Sequence, residues 1–219
     1  MDFFDNKIEQ TDFIKWEERK MANFISILRT ILAFVVVGLL FIHGTAIYWA
    51  AFVLAVVVIW MDGLDGYIAR KFNECSKFGA LLDILSDRIV ENAFWISFAV
   101  LGWVPLWIPL VVMTRGIITD GLRSLALEQG YTAFGATTMM TNKIGKFIVA
   151  SNFCRFTYAV CKAVAFALLI AAHVPADYPY KPVINLIGYA SVYISVFFCV
   201  TRGIPVIIES KRFLKPDNK

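Results

Sequence analysis

Two aspartate pairs, Asp62-x-x-Asp65 and Asp83-x-x-x-Asp87, stand in the otherwise apolar stretch IWMDGLDGYIARKFNECSKFGALLDILSDRIV. Spacings of three and four put each pair on one face of a helix. Carboxylates among apolar residues are costly unless they are paired or bind a cation. A set of hard oxygen donors suits Mg²⁺ or Mn²⁺, one ion or two. Two such ions about 3.5–4 Å apart would clamp both sides of a phosphoryl displacement. The plainer alternative is a set of structural ion pairs with Arg70, Lys77 or Arg88.

The elements that must position these residues read as long helices. With 59% hydrophobic, 15% aromatic and 17% charged residues and a mean hydropathy of +0.67, the chain is far more apolar than a soluble domain, which carries about 25% charge. Apolar runs able to cross a core of about 30 Å are expected at Phe24–His43, Ile47–Arg70, Phe78–Gly102, Trp103–Leu127, Ile144–Ala172 and Val183–Ile208. The fold class expected is therefore all-α, an integral membrane protein of about six spans. Its parts are a leader over 1–21, a six-span catalytic domain over 22–210 and a tail over 211–219.

In the second run the clean apolar part, Ile47–Trp60, gives only about 21 Å of helix. The helix must continue through Asp62 and Asp65 to reach water, which recesses both. If the second and third runs form an antiparallel hairpin, Asp65 and Asp83 centre on residue 74, and Asp62 and Asp87 on 74.5. All four carboxylates would then face one another at similar depth.

Basic residues fall on alternate ends of the runs: Lys15, Arg19 and Lys20; Arg70, Lys71 and Lys77; Lys143 and Lys146; Lys211, Arg212 and Lys215. The positive-inside rule places both termini and the aspartates in the cytoplasm, with a bacterial inner membrane as the expected location. The same clustering at span ends, with a formal charge of only +4, argues against a nucleic-acid partner. The first twenty residues are polar and charged and fit either a short helix on the membrane surface or a solvated leader. The four cysteines (Cys75, Cys154, Cys161, Cys199) show no extracellular framework and are expected as thiols.

Asp62-x-x-Asp65-Gly66-x-x-Ala69-Arg70, eight residues, then Gly79-x-x-x-Asp83-x-x-x-Asp87 resembles the motif of the CDP-alcohol phosphotransferase family at every fixed position. At average residue usage such a match arises on the order of once in 10¹⁰ windows, so chance is not its explanation. The resemblance implies transfer of a phosphatidyl group from CDP-diacylglycerol to a small polar alcohol, with release of CMP. It implies that Asp62, Asp65, Asp83 and Asp87 hold two divalent metals and that Asp87 is the general base. It also implies that Asn23, Asp62, Gly66, Ala69, Arg70, Ser76 and Gly79 bind the CDP-lipid, and that the enzyme is a homodimer. In ANFISILR the family's usual Pro-Asn and Thr are altered to Ala22-Asn23 and Ser26, while Arg29 is kept.

The acceptor is read from VVMTRGIITDGLRSLALEQG and NKIGKF, which are similar to the phosphatidylglycerophosphate synthase branch. Arg115, Arg123, Lys143 and Lys146 are expected to bind an acceptor that carries phosphate, favouring sn-glycerol 3-phosphate over inositol phosphate, inositol or serine. Thr114 and Gly116, and Ile148-Val149, depart from that branch's pattern. Arg155, Lys162 and Arg202 either line the same cavity or pair with acids. Glu91 is expected to pair with Arg88 on its own helix. Trp103, Trp107, Tyr178 and Tyr180 read as interfacial belt residues, and Gly188 and Pro205 as close contacts or bends. A cation-coupled transporter is the rival class, but the second half of the chain holds no counterpart of the four aspartates.

Overall fold

In a computed structural model, residues 23–71, 77–131, 140 and 142–211 are described, with side chains at all of these except 64–71, 77–78, 80, 143–144 and 150. The leader, Cys75, Ser76 and the tail beyond Lys211 lie outside the described residues. Regular structure among the described residues is helical throughout: α1 Asn23–Leu40, α2 Thr45–Lys71, α3 Lys77–Val100, α4 Trp107–Glu128, α5 Lys143–Ala150, α6 Asn152–Ala172 and α7 Lys181–Ser210. The chain divides into two compact units, residues 1–97 and 98–219.

The first unit is built on buried stripes of helical period. On α1 the buried residues are Ser26, Arg29, Ala33, Val36 and Leu40; on α2 they are Tyr48, Ala51, Ala55, Val58 and Met61. Both follow steps of three and four, the spacing of a helix–helix seam. Continued along α2, the same steps reach Asp62 and then Asp65. On α3, Phe94 and Glu91 are buried, and the stripe continues through Asp87 to Asp83. The α2 and α3 stripes thus run into carboxylates at one end, whereas the α1 stripe carries Arg29. The Tyr48 hydroxyl donates to the carbonyl of Leu40 at 3.2 Å, which ties the opposite end of the α1–α2 pair. As expected from its short apolar part, α2 runs on past the aspartates to Lys71.

In the second unit α7 packs against α4, α5 and α6. Its buried face is rich in small residues: Gly188, Ser191, Ser195, Cys199 and Gly203. Small side chains let helix backbones approach closely where no hydrophobic drive exists between helices in lipid. At Gly188 a Cβ would lie 3.4 Å from the Cβ of Leu168 on α6, so this glycine is the close contact expected.

The fifth expected run, Ile144–Ala172, is two helices rather than one. Ser151 adopts an extended conformation (φ −60°, ψ 131°), and its side chain accepts the backbone N–H of Phe153 to cap α6. A serine hydroxyl that caps an N-terminus competes with continued helix, and the apolar pattern carries no trace of it.

Among the described residues, four helices are long and apolar enough to cross a membrane: α1, Thr45–Gly63 of α2, α6 and α7. Helices α3 and α4 have spanning length, 24 and 22 residues, but carry Asp83, Asp87, Arg88 and Glu91, or Arg115, Asp120 and Arg123. Exposed Phe34, Val53, Leu186 and Phe197 give the helices outward faces suited to hydrocarbon. Trp103 departs from its expected belt position: it is buried, stacked on His173 with ring centroids 4.2 Å apart. Just past the end of α3, Gly102 has a φ of +73°, which lets the Trp103 N–H reach the carbonyl of Phe98 at 2.8 Å, the bond pattern of a glycine-terminated helix.

Gly102→Ala is expected to lower stability by about 1 kcal/mol, because a Cβ disfavours this left-handed backbone. Gly121→Ala, inside α4 with nothing within 4 Å of a new Cβ, should raise it by about 0.5–1 kcal/mol. Thermal unfolding of the two variants in detergent, moving in opposite directions, checks this.

Candidate active site

The aspartates converge on an arginine from a third helix. Arg29 on α1 is 1% exposed. Its Nη1 donates to Asp62 Oδ1 on α2, and its Nη2 donates to Asp87 Oδ1 on α3 at 2.6 Å. Asp83 Oδ1 lies 3.9 Å from the same Nη2. Asp62 and Asp87, expected to face each other, therefore do so across one guanidinium, whose planar fork presents two donors in fixed directions. Arg29 was not among the ion-pair partners expected from the sequence; of those, Arg88 bonds Glu91 at 3.2 Å on its own helix, as expected, and the side chains of Arg70 and Lys77 lie outside the described residues. Arg29 was visible in the sequence only as a kept motif position. An arginine inside an apolar helix is the signal that could have marked it.

The three carboxylates are roughly half exposed, 47–56%, while the arginine between them is buried. Among the described side chains, three carboxyl groups meet one guanidinium, so the acids outnumber their cation. Their oxygens are hard donors with lone pairs to spare, so these residues fit a divalent cation in charge and in chemistry. Of the other residues expected here, Asn23 and Gly79 lie on α1 and α3, partly buried. Asp65, Gly66, Ala69 and Arg70 lie on the helical backbone of α2, their side chains outside the described residues, as is Ser76.

The second unit carries a cationic cluster. The Arg115 side chain on α4 lies across Gly203 on α7, where a Cβ would come within 2.9 Å of its Cγ. Arg202, buried on α7, donates from Nη2 to the carbonyl of Val149 at 3.3 Å, and its Cζ stands 5.5 Å from the ring centroid of Tyr158. The Lys162 ammonium lies 5.5 Å from the same ring. Arg115 and Arg155 are close enough for their charges to act on Arg202. The Nε atoms of Arg115 and Arg202 are buried without a hydrogen-bond partner, and neither residue has a carboxylate partner among the described residues. Buried guanidinium donors so placed favour an anion carrying several oxygens, such as phosphate. Arg123, also expected here, stands 3.7 Å from Asp120 one turn earlier. Lys146 is exposed on α5, and the side chain of Lys143 lies outside the described residues.

Comparison with known proteins adds a family and relatives. The sequence pattern of the CDP-alcohol phosphatidyltransferase family matches residues 19–201. A CDP-diacylglycerol–glycerol-3-phosphate 3-phosphatidyltransferase of Mycoplasma pneumoniae is 30% identical over 134 residues, 53% of this chain and 59% of that protein. One of Bacillus subtilis is 26% identical over 169 residues, 77% of each chain. A putative cardiolipin synthase of Mycobacterium tuberculosis is 38% identical over 76 residues, 35% of this chain and 36% of that protein. The chain thus spans between about a third and three quarters of the length of these relatives.

Arg29→Gln removes the cation between the carboxylates and leaves like charges opposed. Because the aspartates are half solvated, the loss is expected to be about 1–3 kcal/mol rather than the full cost of a buried unpaired charge. Thermal unfolding in chelator measures it. Raising salt should recover part of the loss through screening.

Proposed function

The chain belongs to the CDP-alcohol phosphatidyltransferase family, and we propose that it transfers the phosphatidyl group of CDP-diacylglycerol to sn-glycerol 3-phosphate, releasing CMP and forming phosphatidylglycerophosphate. The observation that carries the transferase reading is the convergence of Asp62, Asp83 and Asp87 on one guanidinium. Acidic groups brought together in excess of their cation are what a metal-dependent phosphoryl transfer requires. The glycerol 3-phosphate reading is supported by the names of the Mycoplasma pneumoniae and Bacillus subtilis relatives and by the buried guanidinium groups of Arg115 and Arg202.

In this reading the acceptor hydroxyl attacks the phosphorus that bears diacylglycerol. The new P–O bond forms as the bond to the bridging pyrophosphate oxygen breaks, and CMP leaves with that electron pair. Asp87 takes the hydroxyl proton; Arg29, bonded to its Oδ1, fixes the direction in which the carboxylate points. Asp62, Asp65 and Asp83 with Asp87 would hold Mg²⁺ or Mn²⁺, which when bound neutralises charge on the phosphate oxygens. Asn23, Gly66, Ala69, Arg70, Ser76 and Gly79 are assigned to the CDP-lipid, glycine at 66 and 79 allowing close approach. Arg115, Arg155 and Arg202 are assigned to the acceptor phosphate, with Lys143 and Lys146 adding positive field. Arg123 keeps its place in that set beside Asp120. Helices α3 and α4 complete six spans, with the catalytic end facing the cytoplasm of a bacterial cell. A second reading, in which the acceptor hydroxyl belongs to a phospholipid, is favoured by the likeness to a putative cardiolipin synthase.

Purified protein given CDP-diacylglycerol and Mg²⁺ or Mn²⁺ should release CMP with glycerol 3-phosphate and not with glycerol. Release with phosphatidylglycerol alone would establish the second reading. No metal-dependent release with any acceptor would falsify the enzyme assignment. Asp87→Asn should lower kcat at least about 100-fold, in the usual range for loss of a general base, with CDP-lipid binding kept. Arg202→Gln should raise KM for glycerol 3-phosphate about tenfold or more, the scale of one charged hydrogen bond.

A further inference from the structure

Helix α5 is held at both ends by α7. At its start the backbone N–H of Asn142 donates to Glu209 Oε1 at 3.1 Å, while the carbonyl of Asn142 accepts from the Lys146 N–H at 2.8 Å. Near its end the carbonyl of Val149 accepts from Arg202. Glu209 and Arg202 are seven residues apart on α7, about 10.5 Å, and the eight residues of α5 span about 12 Å. The two clamps therefore match the length of the helix they hold. They also match its polarity: a carboxylate sits at the positive end of the α5 dipole and a guanidinium at the negative end.

Gly145 belongs to the same device. A Cβ there would stand 2.9 Å from Glu209 Oε1 and 3.3 Å from the Cβ of Pro205. The absence of a side chain is what lets α5 lie against α7 at the height of the carboxylate. Beneath the helix, Met140, Val149, Val206 and Ala126 form a small apolar cluster. That cluster favours burial without fixing a register, because apolar contact is non-directional. The two polar clamps supply the register.

We propose that Glu209 is a positioning residue for the acceptor: by fixing the start of α5 it sets Lys146 and, through the Val149 carbonyl, the guanidinium of Arg202. This rests on the assignment of Arg202 and Lys146 to the acceptor phosphate. Glu209 does not touch the acceptor itself. Its loss lets α5 slide or tilt on the apolar cluster, and the cost falls on acceptor binding.

The test is steady-state kinetics of the full chain with CDP-diacylglycerol and glycerol 3-phosphate. Glu209→Ala should raise KM for glycerol 3-phosphate about tenfold, with kcat and KM for the CDP-lipid within about twofold, the signature of lost binding rather than lost chemistry. Glu209→Gln, whose amide oxygen can still accept from Asn142, should recover most of that KM. Gly145→Ala should raise the same KM in the wild-type background but by less than about twofold in Glu209→Ala, because the nearer of the two atoms it would meet is gone and only the looser Pro205 contact remains. An unchanged KM in Glu209→Ala, a loss that falls on kcat or on the CDP-lipid, or additive Gly145 and Glu209 effects would overturn the proposal. Failure of the wild-type chain to use glycerol 3-phosphate would instead overturn the acceptor reading, and this inference with it.

Discussion

One buried guanidinium sets the terms for the first unit. Asp62 and Asp87 come from different helices and carry the same charge, so α2 and α3 repel each other where the carboxylates must meet. Arg29, from α1, bonds both and lies 3.9 Å from Asp83. Its stem occupies the α1 stripe between Ser26 and Ala33, which places the fork at the acidic end of the other two stripes. An arginine suits this position better than a lysine, because two carboxylates can be addressed in two fixed directions by one rigid plane. The carboxylates stay half solvated, so the pairing gathers them without closing them off from a ligand.

The second unit has the opposite electrostatic problem. Arg115 and Arg202 are brought in from α4 and α7, with Arg155 and Lys162 on α6, and the ring of Tyr158 faces two of these cations. A ring face attracts cations, which offsets part of their mutual repulsion but none of the demand for an anion. Close packing makes the cluster possible: Gly203 leaves the room through which the Arg115 stem passes. The break at Ser151 matters here as well. It frees α5 from the line of α6 and lets α7 grip it with Glu209 and Arg202, one at each end. An uninterrupted helix from Ile144 to Ala172 would leave no helix terminus near Arg202 for it to cap.

The sequence by itself determined the helical class, the family, and the helix positions to within a few residues except for the break at Ser151, which splits the fifth run into two helices. Long apolar runs satisfy their backbone only as helices in a membrane, and the carboxylate spacing leaves little freedom once a hairpin is assumed. The facing of Asp62 and Asp87 was legible for the same reason: residue numbers along a straight helix are distances. Partners were not legible. That Arg29 meets the aspartates, that Arg115 crosses Gly203, that Trp103 is buried against His173, and that Glu209 holds the start of α5 all join residues from 33 to 88 positions apart. Only tertiary structure decided these, because a charge in a helix declares that it needs a partner without saying which helix brings it.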